Sequence, residues 1–257
     1  MCRRMSSIFL CLVSVLFFTG CMEEMKTGDS GLCCGPEMVA YYTQTPVNID
    51  GKLDDAIWQS AKTETYYMYL SADKKKDVFL AEAGKFRIAW DDKYFYLACE
   101  FTDSDVVAEG DKDQLHHYQF GDLCELFLKP ADKSWYWEIY MTPRNNKSVF
   151  FFPSKGYLRL PSCYEDYAFD FKVAALVDGT LNNWHDKDKG WTGEMAIPVK
   201  ELTARGETFG PDSRWRIFVG RYNYSIYFTA EELSMSPQLS KTNYHLTDEY
   251  ASLILKK

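Results

Sequence analysis

The chain has 257 residues, 46% of them apolar and 26% charged, with a formal net charge of −8. That length and apolar content suffice to bury one sizeable core, and an all-β domain of this size commonly forms a single unit. The acidic balance excludes nucleic acid and anionic lipid surfaces as partners, since both demand basic patches; a neutral or cationic ligand fits better.

Arg3 and Arg4 precede an apolar run from Ile8 to Phe18, which closes on Thr19-Gly20-Cys21. The run falls well short of the roughly 20 residues that cross a bilayer and reads as the central segment of a signal peptide over residues 1–21. Residues 22–44, with the vicinal pair Cys33-Cys34 and three glycines before Pro36, read as a flexible tether. The globular part is expected over residues 45–257.

From Thr45 onward the pattern is that of β-structure. Val47 to Trp58 combines a short strand, a turn at Gly51 and a helical turn capped by Asp54, with Trp58 expected to plug one end of the core. Phe86, Ile88 and Trp90 alternate inward before the turn Asp91-Asp92-Lys93, and Phe95, Leu97, Cys99 and Phe101 alternate inward after it, which predicts a hairpin. Asp91, Asp92, Asp103 and Asp105 are candidate ligands for a structural calcium ion, although turn-forming aspartates are the commoner case. Cys99 and Cys124 each lie on the apolar side of a predicted strand and read as buried small side chains.

Two further strands carry the candidate site. In Trp135 to Met141, period two places Trp135, Trp137, Ile139 and Met141 on one face and Tyr136, Glu138 and Tyr140 on the other. In the stretch from Tyr118 to Pro130, Glu125 shares a face with Leu123 and Phe127, opposite Cys124, Leu126 and Leu128. Pairing of these strands would bring Glu125 and Glu138 together beside tyrosine rings. Flat rings and carboxylate acceptors are what a sugar site uses. Phe150 to Leu160 and Tyr164 to Phe171 read as a long aromatic connection. Trp191, Gly193, Met195 and Ile197 then alternate with Thr192, Glu194 and Ala196 ahead of Pro198, which opens a short helix through Leu202. Arg214 to Arg221, Ser236-Pro237, Asn243-Tyr244-His245 and a strand from Ala251 to Leu255 complete the chain.

These segments together resemble the family 9 carbohydrate-binding modules, in the branch found in surface lipoproteins. The resemblance implies an all-β antiparallel sandwich with jelly-roll or immunoglobulin-like layers and one or two short helices, binding an oligo- or polysaccharide without cleaving it. Asp122 and Glu125 match the family's Asp-x-x-Glu, whose glutamate bonds the sugar. Tyr118, Phe120 and Tyr140 would supply stacking rings, and Asp122, Glu125, Glu138 and Arg221 the polar contacts. The two tryptophans that clamp the sugar in characterised members are replaced here by the Tyr118-Gln119-Phe120 and Leu233-Ser234-Met235 regions.

The residues around Cys21 resemble a bacterial lipobox, which implies lipidation of Cys21 and a membrane attachment through that lipid. The acidic residues behind it resemble export signals of surface lipoproteins. They imply display on the outer membrane, or retention on its periplasmic face, beside glycan-use enzymes or transporters and in the service of polysaccharide catabolism. Three other readings stay open: a glycoside hydrolase using Glu125 and Glu138, a haem module ligated from Met235, His245, His116 or His117, and a structural or interaction lipoprotein with a decayed sugar site.

Overall fold

The computed structural model describes residues 35–154 and 167–257; the expected signal peptide with Cys21, the tether residues 22–34, and Cys33, Cys34 and Cys163 lie outside the described residues. The strands are β1 (Glu37–Tyr42), β2 (Tyr66–Tyr67), β3 (Gly84–Trp90), β4 (Tyr94–Thr102), β5 (Leu123–Pro130), β6 (Tyr136–Met141), β7 (Lys147–Phe152), β8 (Lys172–Asp178), β9 (Gly190–Pro198), β10 (Trp215–Asn223), β11 (Glu232–Ser236) and β12 (Ala251–Lys256). Two one-turn helices, α1 (Ala56–Gln59) and α2 (Val199–Leu202), interrupt them.

Hydrogen bonds run through the order β7-β6-β5-β10-β12-β1-β3-β4-β9-β8, with β11 added to β10 and β2 to β3. Pairing is antiparallel except at β1, which runs parallel to both β12 and β3. The path folds into two layers. Cys124, Leu126 and Leu128 of β5, Trp137, Ile139 and Met141 of β6, and Ile217 and Val219 of β10 form one wall of the core. Phe86 and Ile88 of β3, Leu97, Cys99 and Phe101 of β4, and Met195 of β9 form the other. The layers touch closely: a Cβ on Gly193 of β9 would stand 2.4 Å from the Met141 methyl of β6, so a larger residue there would have to displace that methyl. Cys99 and Cys124 are both buried in this core with free thiols, and burial pushes the Cys99 thiol well up.

Several expectations need correction. The tether expected over 22–44 ends earlier, because Glu37–Tyr42 is a strand whose Met38 and Ala40 are buried between β12 and β3. The aromatic connection begins later than expected, since Phe150 to Phe152 belong to β7 and pair with β6. Asp54 is not the cap of α1; Asp55 holds that position, and its Oδ1 accepts the Asn48 N–H at 3.3 Å.

Trp58 also does not plug an end of the core. It packs with Val47 on the outer face of β4 and β9, against Tyr96, Ala98 and Ala196. Small alanines there leave room for the indole, and Glu194 receives the indole N–H at 2.8 Å and the N–H groups of Asp50 and Gly51 at 3.1 and 2.9 Å.

Candidate functional site

Every residue of β5 and β6 is buried, although only alternate side chains face the core. The outward side chains are covered by the segment between β11 and β12. Leu239, Tyr244 and Tyr250 pack there with Phe127, Tyr136, Phe218 and Met235, and the Tyr250 and Phe218 rings stack at 5.2 Å. Gly220 of β10 makes this approach achievable: a Cβ on it would stand 2.6 Å from the Tyr244 ring. Tyr244 is held in turn by donating to the Arg221 and Ser234 carbonyls at 3.1 and 2.8 Å.

Where the covering segment stops, a cleft of about 470 Å³ opens. Its floor is Glu125, Glu138 and Tyr140, and His116, Tyr118, Phe152, Tyr222, Leu233 and Thr242 to His245 complete the lining. No lysine or arginine is among its lining residues.

The strand register explains the floor. Glu125 lies opposite Tyr140, and Phe127 opposite Glu138, so the two glutamates meet on a diagonal of one antiparallel face, where long side chains reach each other. The two carboxyl groups lie close enough for each to shift the other's titration. The Tyr140 hydroxyl donates to Glu138 Oε1. Burial, reinforced by the neighbouring Glu138 charge, raises the Glu125 pKa well above the carboxylate range. Burial lifts Glu138 to about 7, against hydrogen bonds from Tyr140 and Glu125 that favour its charge.

His245 Nδ1 bonds the Tyr136 hydroxyl at 2.7 Å, and burial depresses its pKa, which favours the neutral ring. His116 stacks on Phe150 at 4.7 Å, and Tyr118 leans on Tyr222 at 5.7 Å.

Of the site residues expected from sequence, Tyr118, Glu125, Glu138 and Tyr140 line the cleft. Tyr140 does so as a hydrogen-bond donor and not as a stacking platform, because its ring is 1% exposed. Phe120 is exposed on the surface and outside the cleft lining. Asp122 is fully buried away from it, accepting the N–H groups of Val107 and Tyr224 at 2.6 Å each.

Arg221 points the opposite way, into the core. It donates to the Thr102 carbonyl at 2.8 Å and to Asp103 at 3.2 Å, with Phe101 against its guanidinium at 4.6 Å. Tyr222, its neighbour, is the residue of β10 that reaches the cleft. Strand alternation carried that signal, because Ile217, Val219 and Arg221 share the inward face.

The remaining alternatives lose their geometry. Asp91 and Asp92 sit at the β3–β4 turn, where Asp91 accepts from Lys93, Tyr94 and Tyr96. Asp103 and Asp105 lie beyond the other end of nine-residue β4, so the four do not converge. No group of three or more metal-ligating side chains occurs among the described residues.

Met235 is buried with its sulfur accepting the Leu239 N–H, and His117 is buried against Gly110, so neither is placed to ligate a haem.

The structure is similar to that of a candidate carbohydrate-binding protein from Bacteroides uniformis ATCC 8492, with a TM-score of 0.68 at 13% identity over 86% of this chain and 100% of that one. It is also similar to a family 9 carbohydrate-binding module from Caldicellulosiruptor kristjanssonii. The complex of that module with cellotriose gives a TM-score of 0.56 at 15% identity over 86% of this chain and 93% of that one; its glucose complex gives 0.55 at 15% identity over 85% and 95%. No curated protein matches the chain. The family model described as carbohydrate family 9 binding domain-like matches residues 49–214, and the chain belongs to that family of non-catalytic carbohydrate-binding modules.

Proposed function

We propose that the chain captures an oligo- or polysaccharide in the cleft floored by Glu125, Glu138 and Tyr140. The observation that carries this reading is a solvent-open cleft on this family's fold that combines aromatic rings with both donors and acceptors. Tyr118 and Tyr222 offer faces to the apolar side of a pyranose. Thr242, Asn243 and His245 offer groups that exchange hydrogen bonds with hydroxyls. The related Caldicellulosiruptor module holds cellotriose and glucose, which makes gluco-oligosaccharides the first ligands to try. Binding of a single sugar should be modest, since each neutral hydrogen bond exchanged for water contributes about 0.5 to 1.5 kcal/mol.

The wider role follows from the N-terminal residues. A lipid on Cys21 would tether the module to the outer membrane, facing outward, where captured chains pass to enzymes or transporters of polysaccharide catabolism. Loss of fatty-acid labelling in Cys21→Ser tests the anchor, and protease accessibility on intact cells tests the orientation. Affinity electrophoresis through gels holding soluble β-glucan, xylan or mannan tests the binding itself. Retardation by at least one polysaccharide, reduced in Tyr222→Ala, is expected; migration unaffected by every polysaccharide rejects the reading.

A further inference from the structure

The donor balance on the cleft floor is lopsided. Two carboxyl groups present four oxygens, yet the one side-chain donor placed on them is the Tyr140 hydroxyl. Oε2 of Glu125 and Oε2 of Glu138 have no hydrogen-bond donor, in side chains only 3% and 5% exposed. A buried carboxylate without donors is costly, and the cost is relieved by a partner that brings N–H or O–H groups.

The charge balance leans the same way. The lining contains no lysine or arginine. His245 Nε2, 3.9 Å from Glu138 Oε2, belongs to a ring that burial favours in its neutral form. The lining therefore provides neutral polar groups and aromatic faces but no fixed positive charge.

We infer that the cleft selects a basic amino sugar, a pyranose carrying a protonated primary amine, and that Glu125 and Glu138 are the residues that select it. An ammonium group brings three donors and one positive charge, which meets both deficits at once, and charge-assisted hydrogen bonds are about twice as strong as neutral ones. Tyr118 and Tyr222 would take the ring, as for any pyranose. The same floor disfavours uronic acids and sulfated sugars through like-charge repulsion. The inference rests on the cleft being the glycan site and names the glycan class it prefers.

Calorimetric titration of the protein with glucosamine tetramer, N-acetylglucosamine tetramer and cellotetraose tests it at about pH 7.5, above the value of about 7 to which Glu138 is raised and below the roughly 7.7 to 8.0 at which an ordinary α-amino group loses its proton. The acetylated ligand has the same rings without the charge. The expected result is affinity for the glucosamine tetramer about tenfold or more above both neutral ligands, with an advantage that shrinks in high salt. The ratio should fall toward one in Glu138→Gln, and in Glu125→Gln should the first variant fold poorly. Equal affinity for all three ligands overturns the amino-sugar inference while leaving glycan capture intact. Failure of all three to bind overturns both.

Discussion

Tyr244 rests on Gly220 so closely that a methyl group on the glycine would stand 2.6 Å from the ring. This contact fixes how the segment between β11 and β12 lies across β10, and therefore where the cleft ends. Gly220→Ala is expected to lift Tyr244, lose its bonds to the Arg221 and Ser234 carbonyls, and cost about 1 to 3 kcal/mol. Thermal unfolding measures this. An unchanged Tm would mean that the segment adjusts freely and does not shape the site.

The buried Glu125 and Glu138 make stability depend on pH. A carboxyl whose folded pKa stands above its unfolded value contributes stability that is fully present below about 4.5 and is lost as the pH rises through about 7. Asp103, raised to about 6, and Glu194, raised to about 7, act in the same direction, while burial-depressed His245 opposes them below its ordinary value. The ligand-free protein should therefore lose on the order of 3 kcal/mol between pH 5 and 8 from Glu138. Glu138→Gln removes that titrating group and should flatten this part of the profile. A variant with the wild-type slope in pH-dependent unfolding would show that Glu138 does not titrate in this range.

Tyr140→Phe keeps the ring and removes the donor to Glu138. Leaving a buried acceptor short costs about 1 to 3 kcal/mol, and ligand affinity should fall with it because the floor loses its organisation. Chemical denaturation alongside binding separates the two effects. Wild-type stability would place the Tyr140 hydroxyl outside the network.

Leu233 stands in the cleft wall on β11, three residues before Ser236 and paired with Tyr222 of β10. Leu233→Trp should place a second ring opposite Tyr118 and tighten glycan binding about twofold to tenfold, the worth of one aromatic contact. Weaker binding would indicate that the wall is too close for a second ring.

The layered fold was legible because its strands alternate cleanly. Phe95, Leu97, Cys99 and Phe101 face inward as their spacing predicts, and so do Trp137, Ile139 and Met141. The pairing of Glu125 with Glu138 followed from the same arithmetic. Arg221 was misplaced because a charged side chain suggests solvent, whereas here Asp103, the Thr102 carbonyl and the Phe101 ring compensate its charge inside the core.

The strand Glu37–Tyr42 was hidden by the glycine-rich residues before it, and its parallel partners β12 and β3 are far away in sequence. Burial of Tyr140 was likewise not readable from alternation. Its face looks outward, and only the fold places His116 and Phe150 over that face.

The central claim is that the cleft floored by Glu125, Glu138 and Tyr140 and lined by Tyr118 and Tyr222 is a glycan site. A glycan-array screen of the purified protein beside Tyr118→Ala tests it most directly, since Tyr118 is a half-buried rim residue whose loss should spare the core. The account predicts selective binding to a set of oligosaccharides that disappears in the variant while its Tm is kept. A blank array with folded protein, or binding that survives Tyr118→Ala unchanged, would contradict it.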